Sequence, residues 1–199
     1  MTHQTLPKAY LVRHGETAWS LSGQHTGRTD ISLTERGEVN GRRLAERLKG
    51  LNFALVLTSP LQRARRTGEL AGFASSLVVD PDLREWDYGS YEGRRTAEIH
   101  KERPGWNLFD DGCPNGEAAQ QVGIRADRIV QQIRTAGGDA LVFSHGHFLR
   151  VLTARWLGFP PGHGRYFLCG AGSLGILGFE HNSPDEPVLK LWNLGPSDD

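Results

Sequence analysis

Two histidine motifs stand directly after apolar runs of the sequence. Arg13-His14-Gly15 follows Lys8–Val12, and Ser144-His145-Gly146-His147 follows Ala140–Phe143. One histidine at a strand end is usually a hydrogen-bonded structural residue. Two such strand ends indicate a ligand site, because the carboxyl ends of parallel strands meet at the edge of an α/β sheet where ligands bind. The glycine after each histidine lets a ligand approach the backbone, and the helices that follow direct N–H groups at the same edge.

Two arginines indicate which ligand this edge binds. Arg13 precedes the first histidine, and Arg63 falls in the first turn of a helix predicted to begin at Ser59-Pro60. A guanidinium fork matches the spacing of phosphate oxygens, so the site is predicted to hold a phosphate dianion. The 23 Lys and Arg residues balance 23 Asp and Glu residues. The positive charge must therefore be local to the site rather than spread over the surface.

The elements that position these motifs alternate between strands and helices. This alternation predicts an α/β fold, a three-layer sandwich with a mostly parallel central sheet and helices on both faces. The last two strands are expected to pair antiparallel at the sheet edge. The predicted strands are residues 8–12, 54–58, 77–79, 140–143, 173–179 and 188–192, and the predicted helices are 34–50, 59–71, 95–103, 117–133 and 146–156.

Length and composition predict a single domain over residues 1–199. The chain is 38% apolar and 23% charged, which is typical of a globular protein. Residues 80–116 are rich in Gly, Pro, Trp and charge, and this excursion is predicted to be a lid or a substrate loop. Cys113 and Cys169 are too few for a disulfide framework and form no Cys-x-x-Cys pair, so we interpret both as structural thiols.

The composition also argues against several partners and locations. Balanced charge and the lack of an aromatic recognition motif argue against nucleic acid. No segment approaches the roughly 20 apolar residues that span a bilayer, so no membrane association is expected. Met1–Gln4 lacks the features of a secretory signal, and a cytoplasmic protein is the expectation. The expected partner is a small phosphorylated metabolite, and the sequence leaves open whether the chain forms a homodimer.

Taken together, the motifs resemble those of the histidine phosphatase superfamily, the phosphoglycerate mutase-like group. The match extends over nearly the whole chain and keeps the order of the family's motifs. These are Leu11–Thr17, Ser59–Ala64, Leu83–Glu85 and Ser144–His147. The segments most similar to the acid phosphatases and the sedoheptulose-1,7-bisphosphatase branch are Gly23–Gly27, Leu83–Gly93 and Asp111–Glu117.

This resemblance implies a phosphatase that hydrolyses small phosphomonoesters, such as sugar phosphates, through a phosphohistidine on His14. Arg13, Arg63 and His145 are then expected to hold the equatorial phosphate oxygens. Glu85 matches the position of the general acid, which protonates the leaving alkoxide and later activates water. An acid of this kind predicts hydrolysis in mildly acidic solution. Neither a metal nor an organic cofactor is implied.

Five further positions are candidates for contacts with phosphate or substrate. Ser20 stands where many members of the family carry Asn. Thr26 and the N–H of Gly27 are expected to complete the phosphate cradle, and Gly146 supplies an N–H at a helix start. Arg150 lies five residues beyond His145. It either binds a second phosphate or a sugar hydroxyl, or forms an ordinary surface ion pair.

Three other interpretations of these motifs compete with the phosphatase. A metal site would use the histidines, but no carboxylate accompanies them at ligand spacing. A cofactor-dependent phosphoglycerate mutase shares the phosphate pocket, but mutases of the family carry Arg directly after the acid, where this chain has Trp86. The residues that might replace that arginine are Arg94, Arg95, Lys101 and Arg103. A catalytically silent phospho-ligand binder would be expected to lack a core His or Arg, and all are present.

Overall fold

The computed structural model describes residues 5–196. Met1–Gln4, on which the expectation about a secretory signal rests, lie outside the described residues. A six-stranded sheet forms the centre, in the order β3-β2-β4-β1-β5-β6. Its strands are Ala9–Arg13 (β1), Leu55–Thr58 (β2), Val78–Val79 (β3), Ala140–Ser144 (β4), Leu174–Phe179 (β5) and Pro187–Leu194 (β6). Strands β1 to β4 run parallel to one another. Strand β5 pairs antiparallel with β1, and β6 pairs antiparallel with β5. The predicted α/β architecture is confirmed.

Strand β1 shows why helices cover both faces of the sheet. Ala9 and Leu11 pack into one buried cluster with residues from helices in the C-terminal half of the chain. Tyr10 and Val12 pack into a second buried cluster, which contains Leu44. Successive strand residues point to opposite faces. An uninterrupted apolar run therefore needs a helical layer on each side.

The helices lie close to their predicted positions. They are Ala18–Ser22 (α1), Glu35–Leu48 (α2), Gln62–Gly68 (α3), Thr96–Glu102 (α4), Leu108–Asp111 (α5), Ala119–Arg134 (α6) and Gly146–Trp156 (α7). Thr34 caps α2 by accepting the N–H of Gly37 at 3.0 Å. The prediction for α3 was wrong at its start, because Leu61 is the N-cap and Pro60 lies before the helix. Helices α1 and α5 were not predicted, and the π-helical turn Glu69–Phe73 extends α3 two residues beyond the predicted helix end at residue 71.

The excursion over residues 80–116 is packed into the domain. It contains the short 3₁₀ turns Pro81–Leu83 and Gly89–Tyr91 besides α4 and α5. Trp86 and Trp106 are buried in the larger core cluster. The segment therefore contributes a side of the core, and its movement as a lid stays a prediction. Within residues 5–196, no helix has the length and apolar content needed to cross a bilayer.

Candidate active site

The register of β1 and β4 brings the two histidine motifs together. Arg13 lies opposite Ser144, so His14 and His145 leave the sheet side by side. The N–H of His14 donates to the carbonyl of Ser144 at 3.0 Å, and the centroids of the two imidazole rings are 5.2 Å apart. Both histidines are buried. The strand ends thus place two imidazoles in contact at the carboxyl edge of the sheet.

One ring nitrogen of His14 is fixed and the other is available. Nδ1 donates to the carbonyl oxygen of Gly15 at 2.7 Å, which leaves Nε2 unprotonated in the neutral ring. Burial, followed by the charges of Arg13 and Arg63, lowers the pKa of His14 well below its ordinary value of 6.5. At neutral pH the ring is therefore an uncharged imidazole with a free lone pair, which is a nucleophile.

Three nitrogens beside His14 are buried without a hydrogen-bond partner. Buried polar atoms in proteins are nearly always paired. Among the described side chains, the exceptions are Arg13 Nε, Arg63 Nε, His145 Nδ1 and Glu92 Oε2. The first three belong to the residues predicted to hold phosphate. The Ser59 hydroxyl lies 2.8 Å from His145 Nε2, and when it donates there, Nδ1 carries the proton and can donate in turn. We call Arg13, His14, Arg63 and His145 the floor.

Arg63 and Gly27 differ from their predicted roles. The two terminal nitrogens of Arg63 donate to the carbonyls of Thr26, Gly27 and Thr29 at 2.9–3.0 Å, so Arg63 offers Nε rather than a free fork. The N–H of Gly27 donates to Glu92 Oε1 at 2.8 Å. The prediction that this N–H completes the phosphate cradle is wrong, because the donor is already bonded within the protein.

The glycines after the two histidines make room for protein atoms. A Cβ on Gly15 would lie 2.3 Å from the carbonyl oxygen of Gly37 in α2, so this glycine allows the loop to pack on that helix. Its predicted role in admitting a ligand is therefore not what requires glycine here. A Cβ on Gly146 would lie 3.2 Å from the guanidinium of Arg13. Gly146 also begins α7, where the first N–H groups have no acceptor within the helix.

Glu85 lies at the N-terminus of α7 and lines the same cavity as His14. Its side chain is nearly buried. Oε1 accepts the N–H groups of Trp86 and Phe148 at 2.9 Å, and Oε2 accepts the N–H of His147 at 3.0 Å. Because Oε1 is bonded twice and Oε2 once, Oε2 is the oxygen with a lone pair left to carry a proton.

A cavity of about 270 Å³ is lined by Arg13 and His14 of the floor, whereas Arg63 and His145 do not line it. The sequence indicated no role in this cavity for His25, which lies in a loop, or for Thr96, the first residue of α4. Five further lining residues are His25, Tyr88, Thr96, His147 and Arg150, and we call these residues the wall. Of the wall residues, Arg150 is the one that the sequence indicates as a candidate for a substrate contact.

The wall is largely uncharged. Burial lowers the pKa of His25 from its ordinary 6.5 to about 4 and lowers the pKa of His147 well below 6.5, while burial raises the pKa of Tyr88. The Tyr88 hydroxyl lies 2.6 Å from His147 Nδ1, and when the hydroxyl donates there, the neutral His147 ring keeps its proton on Nε2. The His25 ring lies against the Tyr88 ring at 4.7 Å. These groups form hydrogen bonds without carrying charge at neutral pH.

Arg150 is the cation of the wall, and it does not form the surface ion pair that was the alternative. Its Nε donates to the carbonyl of Gly164 at 3.0 Å, and one terminal nitrogen donates to the carbonyl of Arg165 at 2.8 Å. Its guanidinium lies over the Phe109 ring, 4.6 Å from the centroid. Arg150 is therefore held in place by neutral groups, and within residues 5–196 no carboxylate forms an ion pair with it.

Ser20 and Thr26 line the cavity, but their hydroxyls are engaged. Ser20 Oγ donates to the carbonyl of Thr17 and accepts the Thr17 N–H, both at 2.9 Å, in the capping box of α1. Thr26 Oγ1 donates to the carbonyl of Gln24 at 3.2 Å. Either hydroxyl would have to exchange a local bond to contact phosphate.

Cys169 borders the cavity, a position that the sequence did not indicate. Its carbonyl accepts a hydrogen bond from a terminal nitrogen of Arg13, which holds that guanidinium in the floor. Burial raises the pKa of the Cys169 thiol, in keeping with a structural residue.

The substitutes for a mutase arginine lie elsewhere. Arg94 pairs with Glu102 and Arg103 pairs with Asp111. Among the described residues that line the cavity there is no Arg94, Arg95, Lys101 or Arg103. Trp86 is fully buried, and its indole N–H donates to the carbonyl of Glu117 at 2.9 Å. Nor do the described residues contain a group of three or more His, Cys, Asp or Glu side chains placed to hold a metal ion.

Comparisons with known proteins agree with this geometry. Residues 9–195 match the model of the histidine phosphatase superfamily (branch 1). The chain is 42% identical to an acid phosphatase of Mycobacterium tuberculosis over 91% of each chain, and 36% identical to the sedoheptulose 1,7-bisphosphatase of Saccharomyces cerevisiae over 93% of this chain and 92% of that one. A solved mycobacterial glucosyl-3-phosphoglycerate phosphatase, in complex with VO3, superposes with a TM-score of 0.82 at 25% identity, covering 95% of this chain and 100% of the other.

Proposed function

The chain belongs to the histidine phosphatase superfamily, and we propose that it hydrolyses small phosphomonoesters through a phosphohistidine on His14. The observation that carries this proposal is the set of three buried, unpartnered nitrogens on Arg13, Arg63 and His145 beside a neutral imidazole whose Nε2 is free. A phosphoryl group bound there would satisfy all three donors. Each charge-assisted hydrogen bond of this kind contributes about 1.5–3 kcal/mol.

In the first half of the reaction, His14 Nε2 attacks phosphorus in line with the ester oxygen. The N–P bond forms, the P–O ester bond breaks, and a proton on Glu85 Oε2 moves to the leaving oxygen. The floor donors stabilise the charge on the equatorial oxygens while the bonds exchange. The product alcohol leaves, and the enzyme carries a phosphohistidine.

In the second half, the Glu85 carboxylate takes a proton from a water molecule whose oxygen attacks the phosphohistidine. The N–P bond breaks, inorganic phosphate is released, and His14 returns to its neutral form. Glu85 regains its proton in the same step, so one carboxyl group serves both halves of the cycle.

The wall supports a sugar phosphate as the substrate class. His25, Tyr88 and His147 are uncharged hydrogen-bonding groups at neutral pH, which suits the hydroxyls of a sugar. Arg150 adds one cation to the lining of the cavity, where it would bind a second phosphate or a sugar oxygen. The names of the bisphosphatase and glucosyl-3-phosphoglycerate phosphatase relatives are consistent with phosphorylated sugars.

The proposal is tested by a phosphate-release screen. Sugar monophosphates and bisphosphates, phosphoglycerates and an aryl phosphate are offered between about pH 5 and pH 8, with and without a chelator. We expect release of phosphate that the chelator leaves unchanged and that vanadate inhibits, because vanadate mimics the trigonal-bipyramidal phosphoryl centre. Loss of activity with chelator, restored by a divalent ion, would contradict the proposal.

A further inference from the structure

A largely buried ion pair lies beside Glu85, outside the cavity that contains His14. Arg125, in α6, donates from Nε and a terminal nitrogen to the two carboxylate oxygens of Glu117 at 2.9 and 2.8 Å. The side chains are only 11% and 20% exposed, far less than the surface pairs of the described chain such as Arg155–Asp127, at 30% and 49%. Neither residue lines the cavity that contains His14.

Arg125 holds the backbone that leads into Glu85. Its second terminal nitrogen donates to the carbonyls of Asp82 and Arg84, the latter at 3.0 Å, and the terminal nitrogen bonded to Glu117 lies 3.5 Å from the carbonyl of Glu85 itself. One guanidinium therefore spans the turn before the general acid. A planar group with five fixed donors suits such a role better than an ammonium.

Glu117 holds the backbone that leads out of Glu85. Its Oε2 accepts the N–H of Asp87 at 2.9 Å, its own N–H donates to the carbonyl of Asp87 at 2.9 Å, and its carbonyl accepts the indole N–H of Trp86. The segment that carries Glu85 is thus fixed on both sides by the same pair.

The pair also contacts the helix that supplies the hydrogen-bond donors of Glu85. The guanidinium of Arg125 lies 5.1 Å from the centroid of the Phe148 ring, and the N–H of Phe148 donates to Glu85 Oε1. Arg125 therefore links the backbone of Glu85 to the N-terminus of α7. The distance between the Glu85 backbone and the N-terminus of α7 determines where Glu85 Oε2 lies in the cavity.

We propose that Arg125 and Glu117 are positioning residues for Glu85, and this rests on the proposed role of Glu85 as the general acid. Neither group touches substrate. Their pairing keeps Oε2 within reach of the ester oxygen. A displacement of about 1 Å at a reacting group can cost on the order of a hundredfold in rate.

The test is the dependence of rate on the leaving group in Glu117→Gln, which keeps the shape and removes the charge. For kcat/KM we expect a loss of about ten- to a hundredfold on an alkyl phosphate and a change within about twofold on an aryl phosphate, whose leaving group needs little protonation. The slope of log kcat/KM against leaving-group pKa becomes steeper. Inhibition by vanadate, which reports the floor, stays within about twofold of the wild type.

Matched variants separate this role from general destabilisation. Asp127→Asn makes the same change in a surface pair of the same helix and is expected to leave the alkyl-to-aryl ratio unaltered. Arg125→Lys keeps the charge without the fork and is expected to shift the ratio in the same direction as Glu117→Gln. Each ratio is measured on one enzyme preparation, so a misfolded fraction cancels.

Glu85→Gln distinguishes failure of this inference from failure of the proposed function. A shifted ratio in Glu85→Gln and in Glu117→Gln supports the positioning role. If Glu85→Gln shifts the ratio and Glu117→Gln lowers kcat/KM equally for both esters, the positioning role is overturned and the acid assignment stands. If Glu85→Gln itself loses equally on both, the assignment of Glu85 as general acid fails, and the positioning role with it.

Discussion

The floor and the wall of the cavity are built in different ways. The floor rests on adjacent parallel strands, where the pairing of Arg13 with Ser144 fixes the positions of the residues that follow. The wall assembles His25, Tyr88, Thr96, His147 and Arg150 from separate segments of the chain. The floor is cationic and contains the unpartnered donors, and the wall is uncharged except for Arg150. If the proposed function holds, we expect the phosphoryl chemistry at the floor and the choice of leaving group at the wall.

The largest effect is expected when the nucleophile is removed from the floor. In His14→Ala no phosphohistidine can form, and hydrolysis should fall by about 10⁴-fold or more, since groups that act as a unit lose nearly all catalysis together. The measurement is rapid-quench trapping of acid-labile, base-stable phosphate on the protein during turnover. His145→Ala is the control, because it should still form the label, more slowly. Label that persists in His14→Ala would show that His14 is not the nucleophile.

The same contrast explains which parts of the site can be predicted from sequence. Apolar runs that end in Arg-His-Gly and His-Gly-His specify two strands and the residues at their ends, so the placement of His14 and His145 follows from strand pairing. Gly27 could not be predicted, because its N–H is bonded to Glu92, which lies 65 residues away. His25 is held beside the other wall residues by its N–H, which donates to the carbonyl of Arg94. Contacts between loops of this kind leave no periodic pattern in the sequence.

Arg150→Ala sharpens the comparison by changing only the wall. The truncation should reduce kcat/KM for a sugar bisphosphate by about ten- to a hundredfold, the value of one charge-assisted hydrogen bond, and affect a monophosphate much less. Steady-state rates on a matched pair of esters give the measurement. Arg155→Ala, on the same helix but paired with Asp127, is the control. Equal losses on both esters would make Arg150 a structural residue.

The mutase alternative gives a prediction for the unmodified enzyme. A mutase keeps water away from the phosphoenzyme and grips the carboxylate of glycerate, but the wall holds only Arg150 for that purpose. With 3-phosphoglycerate and catalytic 2,3-bisphosphoglycerate, formation of 2-phosphoglycerate should be at least about tenfold slower than phosphate release from a favoured sugar or aryl phosphate, a difference of about 1.4 kcal/mol in barrier. Interconversion faster than release from every ester tested would reverse this assignment.

The smallest effect concerns a property that floor and wall share. Burial lowers the pKa of His14 and His145 in the floor and of His147 and His25 in the wall, that of His25 from 6.5 to about 4. In the unfolded chain these histidines take up protons near pH 6.5, whereas the folded protein keeps them neutral. Below pH 6.5 the unfolded state therefore binds more protons, and stability must decrease as the pH falls. The contribution of His25 is fully present above about pH 6.5 and is lost progressively toward pH 4.

His25→Gln tests this linkage one histidine at a time. Removing a group that takes up one proton on unfolding should reduce the slope of unfolding free energy against pH by about 1.4 kcal/mol per pH unit near pH 5, measured by denaturant titration. His181 is exposed, and its contact with Glu186 raises its pKa, so below pH 6 it is protonated in both states. His181→Gln should therefore leave the slope near pH 5 unchanged. An unchanged slope in His25→Gln would mean that His25 binds its proton equally well in the folded and the unfolded protein.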